Sequence, residues 1–225
     1  MYKSAVRLVV GITLGLIAVR GVIAAAEPVN LSLRKQEMAD YVSSGEYMTD
    51  ISTVAVSAKE YVAKRILQGP TKPGLKLAIV FDIDETLLSN VSHIMANDYG
   101  YVPKVWDHWV DEGTAPAILP VKAVYDTAVQ ARIDIFLITG RKDSDSSGTE
   151  KNLQQVGYVS WTKIFYKPVV ADKPLTMEEF KTGVRRKLTL EGYEIIANLG
   201  DQASDLANGY AERAFKLPNP FYLSK

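Results

Sequence analysis

Short apolar runs that alternate with helix-period segments constrain this chain more than any other feature. The run Leu77-Ala78-Ile79-Val80-Phe81 is bounded by turn signals, which marks a strand buried on both faces of a parallel sheet. Further strands are expected at 133–138, 163–166 and 193–199, with a short final one at 213–217. Asn30 can cap a first helix at about 31–43. Ile51, Val54, Ala55, Ala58, Tyr61, Val62, Arg65 and Ile66 recur at helical spacing and predict a second helix over about 47–67. Val121, Val124, Tyr125, Ala128 and Val129 mark another, a further helix follows Thr149, and Thr176 with Glu179 forms a capping box for one beginning near Met177. Strands alternating with helices imply an α/β layered domain built on a parallel sheet flanked by helices. Residues 90–120, rich in aromatics, Pro and Gly, read as an irregular insert.

Composition removes several chemistries. The chain has no cysteine, so disulfides, iron–sulfur clusters, thiolate zinc sites and cysteine nucleophiles are excluded. His93 and His108 are its only histidines, too few for a multi-histidine metal cage, and neither lies in the Arg-His-Gly context of histidine phosphatases. Lys and Arg number 26 against 26 Asp and Glu, so no basic field argues for nucleic acid. The first 26 residues read as a signal peptide: Lys3 and Arg7, an apolar run from Leu8 to Val19, then Ala24-Ala25-Ala26 before Glu27. A membrane anchor is the rival reading, which Arg20 opposes at a cost of roughly 2.5–3.5 kcal/mol if central. Cleavage would remove Lys3, Arg7 and Arg20 and leave a mature chain of net charge −3, secreted or periplasmic and without a stable membrane anchor.

In parallel sheets, ligands bind beyond the carboxyl ends of the strands. Three strand ends here carry unusual polar residues: Asp82-Ile83-Asp84-Glu85-Thr86, Thr139-Gly140-Arg141, and Gly200-Asp201-Gln202-Ala203-Ser204-Asp205. Each has a bland explanation on its own, as a turn or a helix cap. A calcium loop fits the first poorly, because a strand rather than a helix precedes it. Together they bring four aspartates and the Thr139 hydroxyl to one sheet edge. Carboxylates repel by roughly 4 kcal/mol per pair at 4 Å and an effective dielectric near 20. A cation among them is therefore expected, and an all-oxygen donor set suits Mg²⁺.

These segments resemble the motifs of the haloacid dehalogenase superfamily, specifically the class B and plant-type acid phosphatases of subfamily IIIB, which include the vegetative storage proteins. Asp82-Ile83-Asp84-Glu85-Thr86 is similar to motif I, Thr139-Gly140-Arg141 to motif II, and Gly200-Asp201-Gln202-Ala203-Ser204-Asp205-Leu206 to motif IV. For motif III, the spacing of Lys181, Arg185 and Gly192-Tyr193 favours Lys181 over Lys163, Lys167 and Lys173. The closing Phe215-Lys216-Leu217-Pro218-Asn219-Pro220 also resembles this family, and the likeness runs over roughly 30–223. It implies a Rossmann-like, haloacid dehalogenase-like fold in one acid phosphatase domain over 27–225. Within it, 27–74 would be N-terminal helices, 75–225 the catalytic core, and about 90–120 a small flap or cap.

The resemblance also implies roles. Asp82 would be the nucleophile that becomes an aspartyl phosphate, and Asp84 the general acid and base. Mg²⁺ would be held by the Asp82 carboxylate, the Asp84 main-chain carbonyl, Asp201 and Asp205. Thr139, Gly140 and Lys181 would bind the phosphoryl group. Arg141 reads equally as a salt-bridge residue or a functional one, Thr86 as support for the motif I loop, and Gln202 as a helix cap. Trp106 and Trp109, three residues apart in the insert, either stack on an aromatic leaving group or pack the insert onto the core. The expected partners are small phosphate esters, nucleotides among them; a homo-oligomer is left open. A phosphotransferase sharing the intermediate is the alternative enzyme. A non-catalytic storage protein is the other alternative, but storage members typically lack the nucleophile that Asp82 supplies.

Overall fold

The structure, a computed structural model, describes residues 26–169 and 175–224. Its centre is strand β1 (Lys76–Phe81), with β2 (Asp134–Lys142) and β3 (Lys163–Lys167) to one side and β4 (Tyr193–Gly200) and β5 (Arg213–Lys216) to the other. Every neighbouring pair is parallel. Such neighbours cannot be joined by hairpins, so helical crossovers cover the sheet faces. These include α5 (Leu119–Gln130), α6 (Ser146–Gln155), α7 (Met177–Leu190) and the short α8 (Ala203–Leu206). The alternation of side chains along β1 divides the core. Ile79 and Phe81 pack with Ile51, Ala58, Val121 and Tyr125, whereas Ala78 and Val80 face Phe180, Val184 and Leu188 of α7. This two-sided burial is why β1 reads as an unbroken apolar run.

The N-terminal helices are α1 (Leu31–Ser43) and α2 (Glu46–Gln68). The Asn30 side chain accepts from the Ser32 amide at 2.9 Å, the expected cap. One face of α2, from Tyr47 through Ile51, Ala55 and Ala58 to Val62, is buried. Arg65 in its last turn is 6% exposed. Its Nε and Nη2 each donate to the Glu212 carboxylate at 2.8 Å, Nη2 also meets Glu194, and Nη1 donates to the Gly69 carbonyl at 2.5 Å. This cluster ties the end of α2 to the start of β4 and the approach to β5, at the edge of the sheet opposite the strand ends described below.

The insert departs from expectation. Instead of irregular chain, it contains α3 (Val91–Ala96) and α4 (Pro103–Glu112). The Pro and Gly that suggested loop are helix punctuation: Pro103 opens α4, and Gly113, at φ 63°, closes it in the left-handed region. The expected capping box of α7 is present, with Thr176 Oγ1 accepting from the Glu179 amide at 3.1 Å and Glu179 Oε2 accepting from the Thr176 amide at 2.9 Å. The signal-peptide reading falls almost wholly on residues 1–25, outside the described residues, as does Lys173. Among the described residues no helix is long and apolar enough to cross a membrane.

Candidate active site

The carboxyl ends of β1, β2 and β4 bring the three polar segments together around a cavity of about 440 Å³. Asp82 follows β1 directly, its amide donating to the Leu199 carbonyl at 3.0 Å, which sets it beside the end of β4. Lys181 reaches in from α7, its Nζ 2.5 Å from Asp82 Oδ1 and 2.6 Å from Asp205 Oδ1. Among the described residues Asp82, Asp201 and Asp205 form a buried group with one carboxylate oxygen each inside a 4.8 Å cluster. Gly200 permits this crowding, since a Cβ there would lie 2.4 Å from Asp205 Oδ2. The donors are all hard oxygens, with no thiolate or imidazole among them, and suit a hard divalent cation.

The electrostatics point the same way. Burial pushes the Asp82 carboxyl well above its ordinary range; Lys181 opposes this, while Asp205, Asp201 and Asp84 add to it. Asp201 is pushed up to about 7 by burial and by Asp205, against hydrogen bonds from Asn219 and Gln202. Burial alone would lower the Lys181 ammonium, but Asp82 and Asp205 outweigh it and the group is raised. Anions that crowd to the point of resisting ionisation are a site completed by positive charge.

Asp84 stands apart from that group but on the same cavity. Arg141 Nη2 donates to its Oδ1 at 2.7 Å and Nε contacts Oδ1 and Oδ2 at 3.1 and 3.2 Å. Arg141, 3% exposed, also donates to Thr149 Oγ1 at 3.0 Å, so the loop anchor and the partner of Asp84 are one residue. Thr139 is fully buried and its Oγ1 accepts from the Arg141 amide at 3.1 Å, which leaves the hydroxyl proton available for donation elsewhere. Thr86 Oγ1 lies 3.5 Å from Asp201 and Gln202 Nε2 donates to Asp201 at 2.6 Å, so both support the acidic cluster.

The insert tryptophans part company. Trp106 lines the cavity with His93, Tyr99 and Tyr101, its ring 5.7 Å from the Arg141 guanidinium carbon. Trp109 packs against the core, stacks on His93 at 5.1 Å, and donates its indole N–H to Asn90 Oδ1 at 2.8 Å.

Further residues brace the site in ways that no sequence pattern specifies. Glu85 is fully buried, its carboxyl raised to about 7 by burial and by Asp84 against hydrogen bonds from Tyr222 and Asn90. Tyr222 donates its hydroxyl to Glu85 at 2.7 Å, and Asn219 donates to Asp201 at 2.6 Å, so the segment after β5 braces both acidic clusters. Arg185 is fully buried and donates to the main-chain carbonyls of Asp205 at 2.5 Å, of Ala207, and of Gly209 at 3.0 Å, fixing the backbone that carries Asp205. Glu85 lies in the motif I-like stretch, Arg185 in the motif III spacing and Asn219 in the family-like closing stretch, but these patterns name no contact for them.

Comparison with known proteins identifies the family and the fold. Residues 20–225 match the family described as HAD superfamily, subfamily IIIB (acid phosphatase). The chain is 36% identical over 197 residues to Acid phosphatase 1 of Solanum lycopersicum, covering 83% of this chain and 74% of that protein. It is 34% identical over 188 residues to the stem 28 kDa glycoprotein of Glycine max, covering 81% and 72%. The fold is shared with the class C acid phosphatase from Bacillus anthracis, solved with tungstate bound, at a TM-score of 0.67 and 24% identity over 85% of this chain and 86% of that one. A five-stranded parallel sheet of order β3-β2-β1-β4-β5, with its acidic strand ends, thus belongs to a member of the haloacid dehalogenase superfamily, subfamily IIIB, the acid phosphatases.

Proposed function

We propose that this chain, exported after cleavage near Glu27, is a Mg²⁺-dependent phosphomonoesterase that hydrolyses small phosphate esters through an aspartyl phosphate on Asp82. The observation that carries the reading is Lys181 Nζ lying between Asp82 and Asp205 inside the buried acidic cluster that opens on the cavity. A carboxylate oxygen of Asp82 attacks phosphorus and the ester P–O bond breaks, while Asp84 delivers a proton to the departing alkoxide. Asp84 then takes a proton from the water that attacks the phosphoenzyme, which releases phosphate and restores both carboxyl groups. The Thr139 hydroxyl, the Gly140 amide and the Lys181 ammonium hold the phosphoryl oxygens as charge builds on them.

Mg²⁺ would be held by the carboxylates of Asp82, Asp201 and Asp205 and the main-chain carbonyl of Asp84, and would supply the positive charge that lets a phosphate dianion approach these acids. Purified protein is therefore expected to hydrolyse small phosphate esters, to lose that activity with a chelator and to regain it with Mg²⁺. Its melting temperature should also rise on adding Mg²⁺, because a ligand that binds only the folded chain stabilises it. Hydrolysis and melting both indifferent to the chelator would overturn the metal assignment, and inactivity on every ester would overturn the reaction.

The place of Trp106 on the cavity wall supports its role as a stacking surface for aromatic leaving groups, nucleotides among them. A single aromatic contact is worth about 0.5–1.5 kcal/mol beyond area burial, roughly 2- to 13-fold in affinity. Trp106→Ala should lose several-fold more kcat/KM on a nucleoside monophosphate than on glycerol phosphate. Equal losses on both esters would make it a packing residue.

A further inference from the structure

Asp84 offers two carboxylate oxygens, and its neighbours treat them unequally. Oδ1 receives Arg141 Nη2 at 2.7 Å, Arg141 Nε at 3.1 Å and Asn90 Nδ2 at 2.9 Å. Among the described residues, Oδ2 has only the 3.2 Å contact from Arg141 Nε. Asn90 is fully buried, and its amide could in principle present either end to Asp84. Trp109 pins the oxygen end. The indole N–H can only donate, so at 2.8 Å it fixes the Asn90 oxygen toward α4 and turns the NH₂ toward Asp84. The Asn90 NH₂ also lies 3.3 Å from Glu85 Oε2, and its backbone amide donates to Glu85 Oε1 at 2.5 Å, so the residue is held from both ends.

We infer that Asn90 and Trp109 are positioning residues for the acid–base step: they hold Asp84 so that Oδ1 is occupied and Oδ2 is the oxygen that carries the transferred proton. This gives Trp109 a polar task distinct from both the stacking and the packing that its sequence position left open. The inference rests on Asp84 being the general acid, and the test separates the two.

Trp109→Phe keeps an aromatic ring against His93 but deletes the donor. The Asn90 amide then keeps its carboxylate acceptors but loses the donor that pins its oxygen end, so its hold on Asp84 Oδ1 slackens. The consequence should depend on how much the leaving group needs a proton. Glycerol phosphate releases a strongly basic alkoxide, whereas p-nitrophenyl phosphate releases a stable phenolate. With kcat/KM reporting phosphoenzyme formation, Asp84→Asn sets the scale, with an expected loss on the order of 10²- to 10⁴-fold on glycerol phosphate and a much smaller one on p-nitrophenyl phosphate. Trp109→Phe should show the same pattern at smaller size, on the order of 10- to 100-fold on glycerol phosphate. Asn90→Ala should follow it and serves as the second variant.

If Asp84→Asn loses equally on both esters, Asp84 is not the acid and the inference falls with that role. If Asp84→Asn shows the selective loss and Trp109→Phe and Asn90→Ala lose equally on both esters, only the positioning role is overturned. A loss in Trp109→Phe that is greater on p-nitrophenyl phosphate would restore stacking as the task of Trp109.

Discussion

Asp82→Asn is expected to fold as well as the parent while its turnover falls by on the order of 10⁴-fold or more, as for other enzymes that lose their nucleophile. An amide nitrogen and a carbonyl oxygen cannot form the acyl phosphate, so what remains is whatever the phosphate cradle achieves with water alone. Folding should survive because Lys181 keeps Asp205, at 2.6 Å, as a partner. Removing one acid from a cluster in which burial and neighbouring acids already resist ionisation also relieves repulsion. A melting temperature equal to or above that of the parent, together with the loss of turnover, is the expected pair of results. Parent-like turnover would remove Asp82 from its role.

Arg65→Met should have a large effect on stability although it lies far from the cavity. Arg65 is the charge between Glu194 and Glu212, whose side chains are 10% and 29% exposed, and methionine leaves two acids facing each other. Breaking a buried ion pair by removing one partner costs about 3–5 kcal/mol. For a chain of this size that corresponds to a fall in melting temperature of roughly 6–20 °C. The effect should depend on pH with a definite sign. Burial alone would raise the Glu212 carboxyl, but hydrogen bonds from Arg65 and Tyr61 and the charge of Arg65 outweigh it and hold the group below its ordinary 4.5. Its contribution is therefore complete above about pH 4.5 and is lost as pH falls through the lower folded value. The gap between parent and variant should narrow in that acid range, and thermal melts at neutral pH and near pH 4 measure it. A gap that is small at both would mean that solvent already screens the cluster.

The parts of the fold legible in sequence were those written in local pattern. The β1 run, the Asn30 cap, and the capping box of Thr176 and Glu179 each lie within a few residues, and each appears where expected. The strand-end acids were legible because sheet topology sends every parallel strand end to the same edge, and Lys181 because its spacing to Arg185 and Gly192-Tyr193 singled it out. The insert failed for a physical reason: Pro103 and Gly113 punctuate a helix in the same letters that punctuate a loop. Trp106 and Trp109 sit three apart, and residues three apart on a helix point about 60° apart. That angle sends one to the cavity and the other to Asn90. The pairs Arg141 with Asp84 and Tyr222 with Glu85 join residues 57 and 137 positions apart, and nothing local in either segment names its partner.

The central place of β1 has a consequence for how the chain comes to exist. Its partner on one side, β2, is the next strand along the chain, but on the other side it pairs with β4, Lys76 opposite Tyr193 and Phe81 opposite Leu199. During synthesis the first three strands leave the ribosome with one edge of a strand that is apolar from Leu77 to Phe81 unpaired, and such edges are templates for aggregation. Closing it requires long-range contacts, which slow folding. The same closure brings Lys181 and Asp205 to Asp82, so catalytic competence and relief from that exposed edge should arrive in one late event. Refolding followed in parallel by activity and by binding of a dye to exposed apolar surface should give one shared slow rate.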